Sequence, residues 1–118
     1  MQRGTFSTSG TLPDISDSRV RFVVGWFQKT LPKFLADYAR RPNVPLVVHI
    51  DCDLYSSTLY SLASLDHVIQ PGTIIVFDEF DHVVHEFRAL TDYAKAFGRT
   101  YRIVGAVKNF CRVAIKIT

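Results

Sequence analysis

Acidic residues follow two apolar runs of the sequence, at the points where strands are expected to end. The four acids are Asp51 and Asp53, at the end of the run 46–51, and Asp78 and Glu79, directly after the run 73–77. If the two runs are neighbouring parallel strands, about 4.8 Å apart, their carboxyl ends meet at the edge of the sheet where open α/β folds bind ligands. Like charges this close disfavour ionisation unless a cation or a proton lies between them. Carboxylate oxygens without a matching set of Cys or His residues suit a hard cation such as Mg²⁺ or Ca²⁺.

Each of these acids could also have an ordinary structural role. Asp53 could cap the helix that begins near Ser56, while Asp78 and Glu79 could be solvated acids at a strand exit. Residues two apart on a strand share a face, so Asp51 and Asp53 would point the same way, although this rule weakens beyond the strand end. Two acidic pairs on adjacent strand ends favour a site over two separate structural roles.

The histidines, one further acid and one cysteine complete the set of candidates. His49 lies in the middle of a predicted strand, where a core residue is expected. His82, His85 and Glu86 follow the second acidic pair within a turn, so one of them could be a further ligand or a general base, with exposed loop residues as the alternative. Cys52 lies between two aspartates, which would raise the pKa of its thiol and make it a poor nucleophile.

The spacing of apolar and turn-forming residues predicts an α/β fold. Expected strands are 20–26, 46–51, 73–77, 101–107 and 112–117, and expected helices are 30–39, 57–69 and 84–97. The alternating order implies right-handed crossovers, with helices on both faces of a mostly parallel sheet. Lys108-Asn109 is typical of a hairpin turn, so the last two strands should be antiparallel. The resulting order places 112–117 beside 73–77, with 101–107 at the edge.

Individual residues predict where the helices begin and end. Thr30, followed by Pro32 in the first turn, is expected to cap the first helix. Ser56 to Thr58 offer caps for the second helix, and Gly98 is expected just after the end of the third.

The composition excludes several classes of protein. The chain has 118 residues, 47% of them hydrophobic, which suits one globular domain with a modest core. Its formal net charge of +3 comes from scattered basic residues, so no nucleic-acid partner is expected. No apolar stretch approaches the ~20 residues of a transmembrane helix, so no membrane partner is expected either. The two cysteines are expected to be free thiols, which indicates a cytoplasmic location.

Three stretches, HIDCDLYSST, PGTIIVFDEF and HEFRAL, resemble the macrocin O-methyltransferase type of class I methyltransferases that use S-adenosylmethionine (SAM). The earlier stretches GTFSTSGTLP and VVGWFQKTLPKFL are similar to the same family, so the resemblance covers roughly residues 3–117. It implies a Rossmann-like methyltransferase sheet, mostly parallel with an antiparallel C-terminal hairpin. It also implies SAM as the methyl donor and a hydroxyl of a small molecule or sugar as the acceptor.

The resemblance also assigns roles to the acids. It implies that Asp51, together with Asp78 and Glu79, binds Mg²⁺, and that the metal orients the substrate hydroxyl. It further implies that Asp51 and Asp53 are the catalytic acids, one of which takes the hydroxyl proton before the oxygen attacks the SAM methyl. Asp51 is therefore expected to be both a catalytic and a cofactor-binding residue.

The sequence departs from the family pattern in two places. The segment between Phe80 and Glu86 is shorter than relatives usually have, which affects the substrate lid. The family's N-terminal half, with its first strands and the Gly-rich turn that holds SAM, has no counterpart here. We therefore expect an irregular arm at 1–18 and the C-terminal half of a methyltransferase domain at 19–118, which by itself binds SAM weakly or not at all.

A sheet without its first strands leaves one strand edge free. The edge of 46–51 is apolar, and unpaired strand edges promote association. We expect self-association through this edge, or a missing N-terminal half that covers it.

Other functions fit parts of the same pattern. The chain could be a non-catalytic remnant or an interaction module of the methyltransferase fold. An apolar strand that ends in D-x-D also occurs in haloacid-dehalogenase-type phosphatases and in metal-dependent glycosyltransferases. The phosphatase pattern requires a small Thr or Val where Tyr55 stands, which makes that alternative the weaker one.

Overall fold

The computed structural model describes residues 9–118, and the first eight residues of the predicted arm lie outside the described part. The elements are α1 (Phe27–Asp37), β1 (Val47–Ile50), α2 (Tyr55–Leu65), β2 (Ile74–Phe77), α3 (Glu86–Phe97), β3 (Tyr101–Val107) and β4 (Arg112–Ile117). Residues 9–18 contain no helix or strand. None of the helices in residues 9–118 is long and apolar enough to cross a membrane.

The four strands form one mixed sheet in the order β1-β2-β4-β3. β1 is parallel to β2, whereas β4 is antiparallel to both β2 and β3. This confirms the predicted strand order and the antiparallel hairpin at the C-terminus. The hairpin turn is longer than the two residues, Lys108 and Asn109, that were predicted to form it. Phe110 also has a positive φ angle, as these two residues do, and β4 begins only at Arg112.

The core lies on one face of this sheet. Buried residues alternate along β2 and β4, with Phe77 and Ile115 among them, and they pack against Leu62 of α2 and Tyr93 of α3. The expectation of helices on both faces is therefore wrong for the described residues. Two right-handed crossovers that advance in the same direction along a sheet place their helices on the same face. The opposite face, called the open face below, is only partly covered.

The predicted strand 20–26 is absent, and residues 19–26 are irregular. Val24 and Trp26 are among the exposed apolar residues of this segment. A run of β-branched residues forms a strand only when a neighbouring strand takes its hydrogen bonds, and none of the described strands lies beside it.

Helix α1 begins three residues before the predicted cap. The carbonyl of Trp26 accepts hydrogen bonds from the amides of Lys29 and Thr30, so the first turn closes upstream and Pro32 lies inside the helix. Thr30 is thus not the cap, and its hydroxyl instead donates to the same carbonyl.

The other helix ends match the predictions only in part. α2 begins at Tyr55, so Ser56 to Thr58 lie inside its first turn, and no side chain caps it. Gly98 ends α3 with a left-handed φ of 63°, as predicted. His49 is not a core residue, because its neighbour Ile50 faces the core and strand alternation turns His49 to the open face, where its side chain is 58% exposed.

A partly buried ion pair joins Asp66, just after α2, to Arg99, which follows the Gly98 cap of α3. Tyr93 of α3 binds the same aspartate. Arg99 Nε donates to Asp66 Oδ1 over 2.8 Å, and the Tyr93 hydroxyl donates to the same oxygen over 2.7 Å. The hydrogen bond from Arg99 is the main reason that the pKa of Asp66 lies below its usual value. Burial, together with the bond to Asp66, raises the pKa of Tyr93.

We predict that Asp66→Asn lowers the free energy of unfolding at pH 7 by about 1–3 kcal/mol, since it removes a charged hydrogen-bond acceptor. A carboxyl with a depressed folded pKa stabilises the fold above its unfolded pKa, about 3.9, and loses this contribution as the pH falls through the folded pKa. The difference between the two proteins should therefore shrink below about pH 4. Urea denaturation at pH 7 and pH 3 measures both values. The exposed Asp37→Asn is the control, and an Asp66→Asn effect as small as the control's at pH 7 would contradict the prediction.

The outer edge of β1 has no neighbouring strand among the described residues, and Val47 on this strand is 60% exposed. The expected self-association through this edge stays a prediction. Light scattering on the purified chain should show a dimer or larger species, and Val47→Lys should yield monomer because a charge on the edge opposes strand pairing. Val107→Lys, on the opposite edge strand β3, is the control and should leave the assembly unchanged. A monomeric parent protein would disprove this assembly.

Candidate functional site

The register of β1 and β2 brings the two predicted acidic pairs to one edge of the sheet. Ile50 pairs with Phe77, and the amide of Asp78 donates to the carbonyl of Ile50 over 3.1 Å. Asp51 and Asp78 are therefore the next neighbours in register. The geometry that the sequence predicted for the strand ends is confirmed, while the catalytic and metal-binding roles stay predictions.

A tight turn follows β1 and separates its two aspartates. Asp53 has a left-handed φ of 57°, a conformation that Asp tolerates better than most residues, and the Leu54 amide bonds back to the Cys52 carbonyl. Asp53 does not cap α2, whose N-cap is Leu54. Asp51 and Asp53 are exposed, and neither carboxylate forms a hydrogen bond or ion pair within residues 9–118. Both remain available to a ligand.

Asp78 has partners of its own on the open face. Arg112 Nε lies 2.6 Å from Asp78 Oδ1, and His49 Nε2 lies 3.9 Å from the same oxygen. Strand alternation explains the grouping, because the neighbours Phe77 and Val113 face the core and turn Asp78 and Arg112 to the open face. Sequence analysis did not identify Arg112, which looked like one of several scattered basic residues.

Glu86 is a second residue whose importance sequence analysis did not establish. It is fully buried, and its Oε2 accepts a hydrogen bond from the amide of Glu79 over 3.0 Å. Burial raises the pKa of Glu86, and the charges of Asp51 and Asp53 add to this, whereas the amides of Glu79 and Cys52 oppose it. Its carboxylate thus lies between the two strand ends and fixes the backbone after β2.

The sequence does contain a signal for the burial of Glu86. Ala89, Leu90 and Tyr93 follow it at helical spacings of three, four and seven residues, and all three are buried. The helical period therefore places Glu86 on the core stripe of α3. A charged residue on such a stripe is expected to have a specific partner, which here is the Glu79 amide.

The two cysteines are free thiols, as predicted. The pKa of Cys52 is raised, which confirms a second prediction, although burial contributes most and the neighbouring acids less. The Cys52 thiol also contacts the hydroxyl of Thr58 at 3.4 Å, and this interaction lowers the pKa by more than any single neighbouring acid raises it, although burial outweighs it. The thiol is a poor candidate for a nucleophile.

The predicted metal ligands Asp51, Asp78 and Glu79 do not form a ligand set as they stand. Within residues 9–118, no three His, Cys, Asp or Glu side chains are grouped so that they could hold a metal ion. Asp78 is also paired with Arg112, whose positive charge opposes a bound cation at that carboxylate. His82 and His85 lie near each other, with ring centroids 6.2 Å apart, but they do not complete a group either.

Two cavities flank β1 near the acids. One has a volume of about 430 Å³ and adjoins the turn that contains Asp53, with Trp26, Cys52 and Leu54 in its wall. The other, of about 230 Å³, is lined by Asp51 and His49 and by apolar residues of α1 and α2. Both are open, and the smaller one places apolar surface next to the carboxylate of Asp51, as a site for an organic hydroxyl compound requires.

The described residues offer little to hold the amino-acid and ribose portions of SAM. A Gly-rich turn before a helix, which commonly anchors such groups, is not found at the start of α1, α2 or α3. The N-terminus of α2 lies beside Asp53, whose negative charge disfavours a bound carboxylate. The described residues thus present an acidic strand edge without such an anchor beside it.

Comparison with known proteins identifies O-methyltransferases as relatives of this chain. The family model of macrocin O-methyltransferase (TylF) matches residues 6–109. The structure of the O-methyltransferase NovP superposes on the chain with a TM-score of 0.68 and 25% sequence identity, over 89% of this chain and 40% of that one.

Two curated relatives are also O-methyltransferases. The 8-demethyl-8-(2,3-dimethoxy-alpha-L-rhamnosyl)-tetracenomycin-C 4'-O-methyltransferase of Streptomyces olivaceus is 34% identical over 92 residues, or 73% of this chain. Demethyldecarbamoylnovobiocin O-methyltransferase of Streptomyces niveus is 33% identical over 87 residues, or 69% of this chain. The matched segments make up only 31% of each relative, so the chain spans about a third of their length. From the extent of the family match, together with these relatives, the chain belongs to the macrocin O-methyltransferase family.

Proposed function

We propose that this chain carries the acidic side of a SAM-dependent O-methyltransferase site that methylates a hydroxyl of a small molecule or sugar. The observation that supports it most is the placement of Asp51 and Asp78 side by side at the ends of two parallel strands. The names of the two relatives describe O-methylation of a rhamnosyl-bearing tetracenomycin and of demethyldecarbamoylnovobiocin. These names support a hydroxyl of a small molecule or of its sugar as the acceptor class.

The chemistry assigned to this chain is proton removal. Asp51 and Asp53 present exposed carboxylates without protein partners, and Asp51 also lines an open cavity with apolar walls, so an acceptor hydroxyl can approach either one. The hydroxyl proton passes to the carboxylate, and the oxygen uses its lone pair to form the new bond to the methyl carbon. SAM, when bound, would supply the electrophilic methyl group, and the electron pair of the methyl–sulfur bond would remain on sulfur.

Mg²⁺ belongs to the proposal through the ligands that the family resemblance implies, Asp51, Asp78 and Glu79. A cation held by them would stabilise the alkoxide oxygen. These residues do not form a ligand set in the described arrangement, and Asp78 is paired with Arg112. The proton transfer above is therefore assigned to the carboxylates alone.

A second candidate is a non-catalytic module of the same fold. The absence of a Gly-rich turn at the described helix N-termini favours it, because nothing in residues 9–118 anchors the donor in the usual way. The phosphatase and glycosyltransferase alternatives gain no support, since the matching family and the relatives above are O-methyltransferases.

We predict that this chain by itself binds SAM weakly or not at all. Isothermal titration of the purified chain with SAM should give no measurable heat in the micromolar range, because the described residues lack an anchor for the carboxylate and ribose. A dissociation constant in the low micromolar range would show that another segment builds a donor site within this chain, contrary to this assignment.

We predict that Asp51 or Asp53 acts as the general base, so that its replacement by Asn slows methyl transfer. We would place residues 6–109 into the S. niveus relative in exchange for the matching segment and measure methyl transfer from labelled SAM to that enzyme's own acceptor. Asp51→Asn or Asp53→Asn should lower kcat by about 10²- to 10⁴-fold, the usual effect of losing a general base. Asp37→Asn, an exposed acid of α1, is the matched control. A folded chimera with no activity would favour the non-catalytic module, and two variants equal to the control would exclude both acids as the base.

A further inference from the structure

A cavity of about 520 Å³ lies at the end of β1 that is opposite to the acidic residues. It is lined by residues on both sides of the turn that precedes β1 and by two residues of the segment before α1. The turn is tight, because Asn43 has a left-handed φ of 64° and the Val44 amide donates to the Arg41 carbonyl over 3.4 Å. The cavity also includes Leu46, which lies five residues before Asp51, so the acids are roughly 16 Å away along the strand.

The charged side chains that line this cavity are all arginines among the described residues, namely Arg19, Arg40 and Arg41. Arg19 already has a counter-ion, because its Nε donates to Asp17 Oδ1 over 3.0 Å and its Nη2 donates to Oδ2 over 2.6 Å. Arg40 and Arg41 form no ion pair with any residue of 9–118. Two uncompensated guanidinium groups beside one concave surface attract an anion.

Arg40 also has a hydrogen-bond donor that the described residues leave unused. Its Nη1 donates to Gln70 Oε1, which orients the guanidinium. Its Nε is buried and has no acceptor within residues 9–118. A buried donor without an acceptor costs free energy, and an unseen water or ion is a common explanation. An anion that reaches this donor would remove the cost.

We propose that this cavity binds the phosphate group of a small organic molecule, at a site separate from the acidic edge. Each guanidinium presents paired N–H donors that match two phosphate oxygens, and a phosphate dianion balances two such groups where a carboxylate balances one. The rest of the wall includes the ring of Tyr38 and the apolar side chains of Val44 and Leu46, so the ligand should also carry an apolar or ring-shaped part. The inference does not depend on the proposed methyl transfer.

The test is a titration of the purified chain with phenyl phosphate at pH 7.5, followed by its melting temperature, with NaCl keeping the ionic strength constant. A ligand that binds only the folded state raises the melting temperature in a concentration-dependent way. Arg41→Gln should need about 3- to 10-fold more ligand for half of the rise, because it removes one charged contact from an open site. Replacing both Arg40 and Arg41 by Gln should abolish the rise.

A matched variant and a second measurement separate the cavity from net charge and from misfolding. Arg102→Gln removes the same charge from the edge strand β3 and should behave like the parent protein. In two-dimensional ¹H–¹⁵N NMR of the parent, phenyl phosphate should shift the amide signals of Arg41 and Val44. The amide signals of Asp51 and Asp78 should stay in place. This second measurement needs no variant, so it holds even where a substitution disturbs the fold.

Four results would overturn the inference. The cavity would not be the site if the parent protein showed no rise, or if the amide shifts centred on Asp51 instead of Arg41. An equal midpoint with inorganic phosphate or with benzoate would show that the cavity does not select an organic phosphate. A loss of the same size in Arg102→Gln would show that net charge alone attracts the ligand.

Discussion

The parallel pairing of β1 with β2 is the constraint on which the rest of the site depends. Four residue pairs, from Val47 with Ile74 to Ile50 with Phe77, fix the register of two short strands. A slip of one residue would turn every side chain of β1 to the other face of the sheet. It would bury His49, expose Ile50 and separate Asp51 from Asp78. The register is specified by burial, because Ile50 and Phe77 both belong to the core.

The same alternation divides the two acids of β2 between different environments. Asp78 lies on the open face with Arg112, while the backbone of Glu79 is held by the buried carboxylate of Glu86. One acid is thus paired with a half-exposed guanidinium at the surface, and the next is held through its amide by a buried carboxylate. This arrangement keeps the strand ends in place while it leaves Asp51 and Asp53 free for a ligand.

The topology of the sheet could be predicted because it follows from general rules. Right-handed crossovers and a short final turn gave the strand order, and the apolar runs located β1 and β2 within a residue or two. The segment 20–26 shows the limit of this approach. Its composition favours a strand, but a strand also requires a neighbour, and strand propensity contains no information about whether one is present.

The partners of the acids were harder to predict than the acids. Arg112 faces Asp78 only because of the antiparallel register, which depends on the length of the turn that contains Asn109, and this turn is longer than the usual two-residue hairpin. Glu86 was detectable from its helical spacing, but a charged residue near a helix start is usually solvated. In both cases the charged side chain could be seen in the sequence, whereas its environment depends on three-dimensional packing.

The central claim is that the two strand ends form one acidic edge, and proton NMR of the isotope-labelled chain tests it most directly. In the described register the Asp78 amide donates to the Ile50 carbonyl, so its proton lies next to the α-proton of Asp51. The account predicts a strong nuclear Overhauser effect between these two protons. A cross-strand effect from the Asp78 amide to the α-proton of Ile50 or Cys52 instead would mean a slipped register, and the acids would then not meet at one edge.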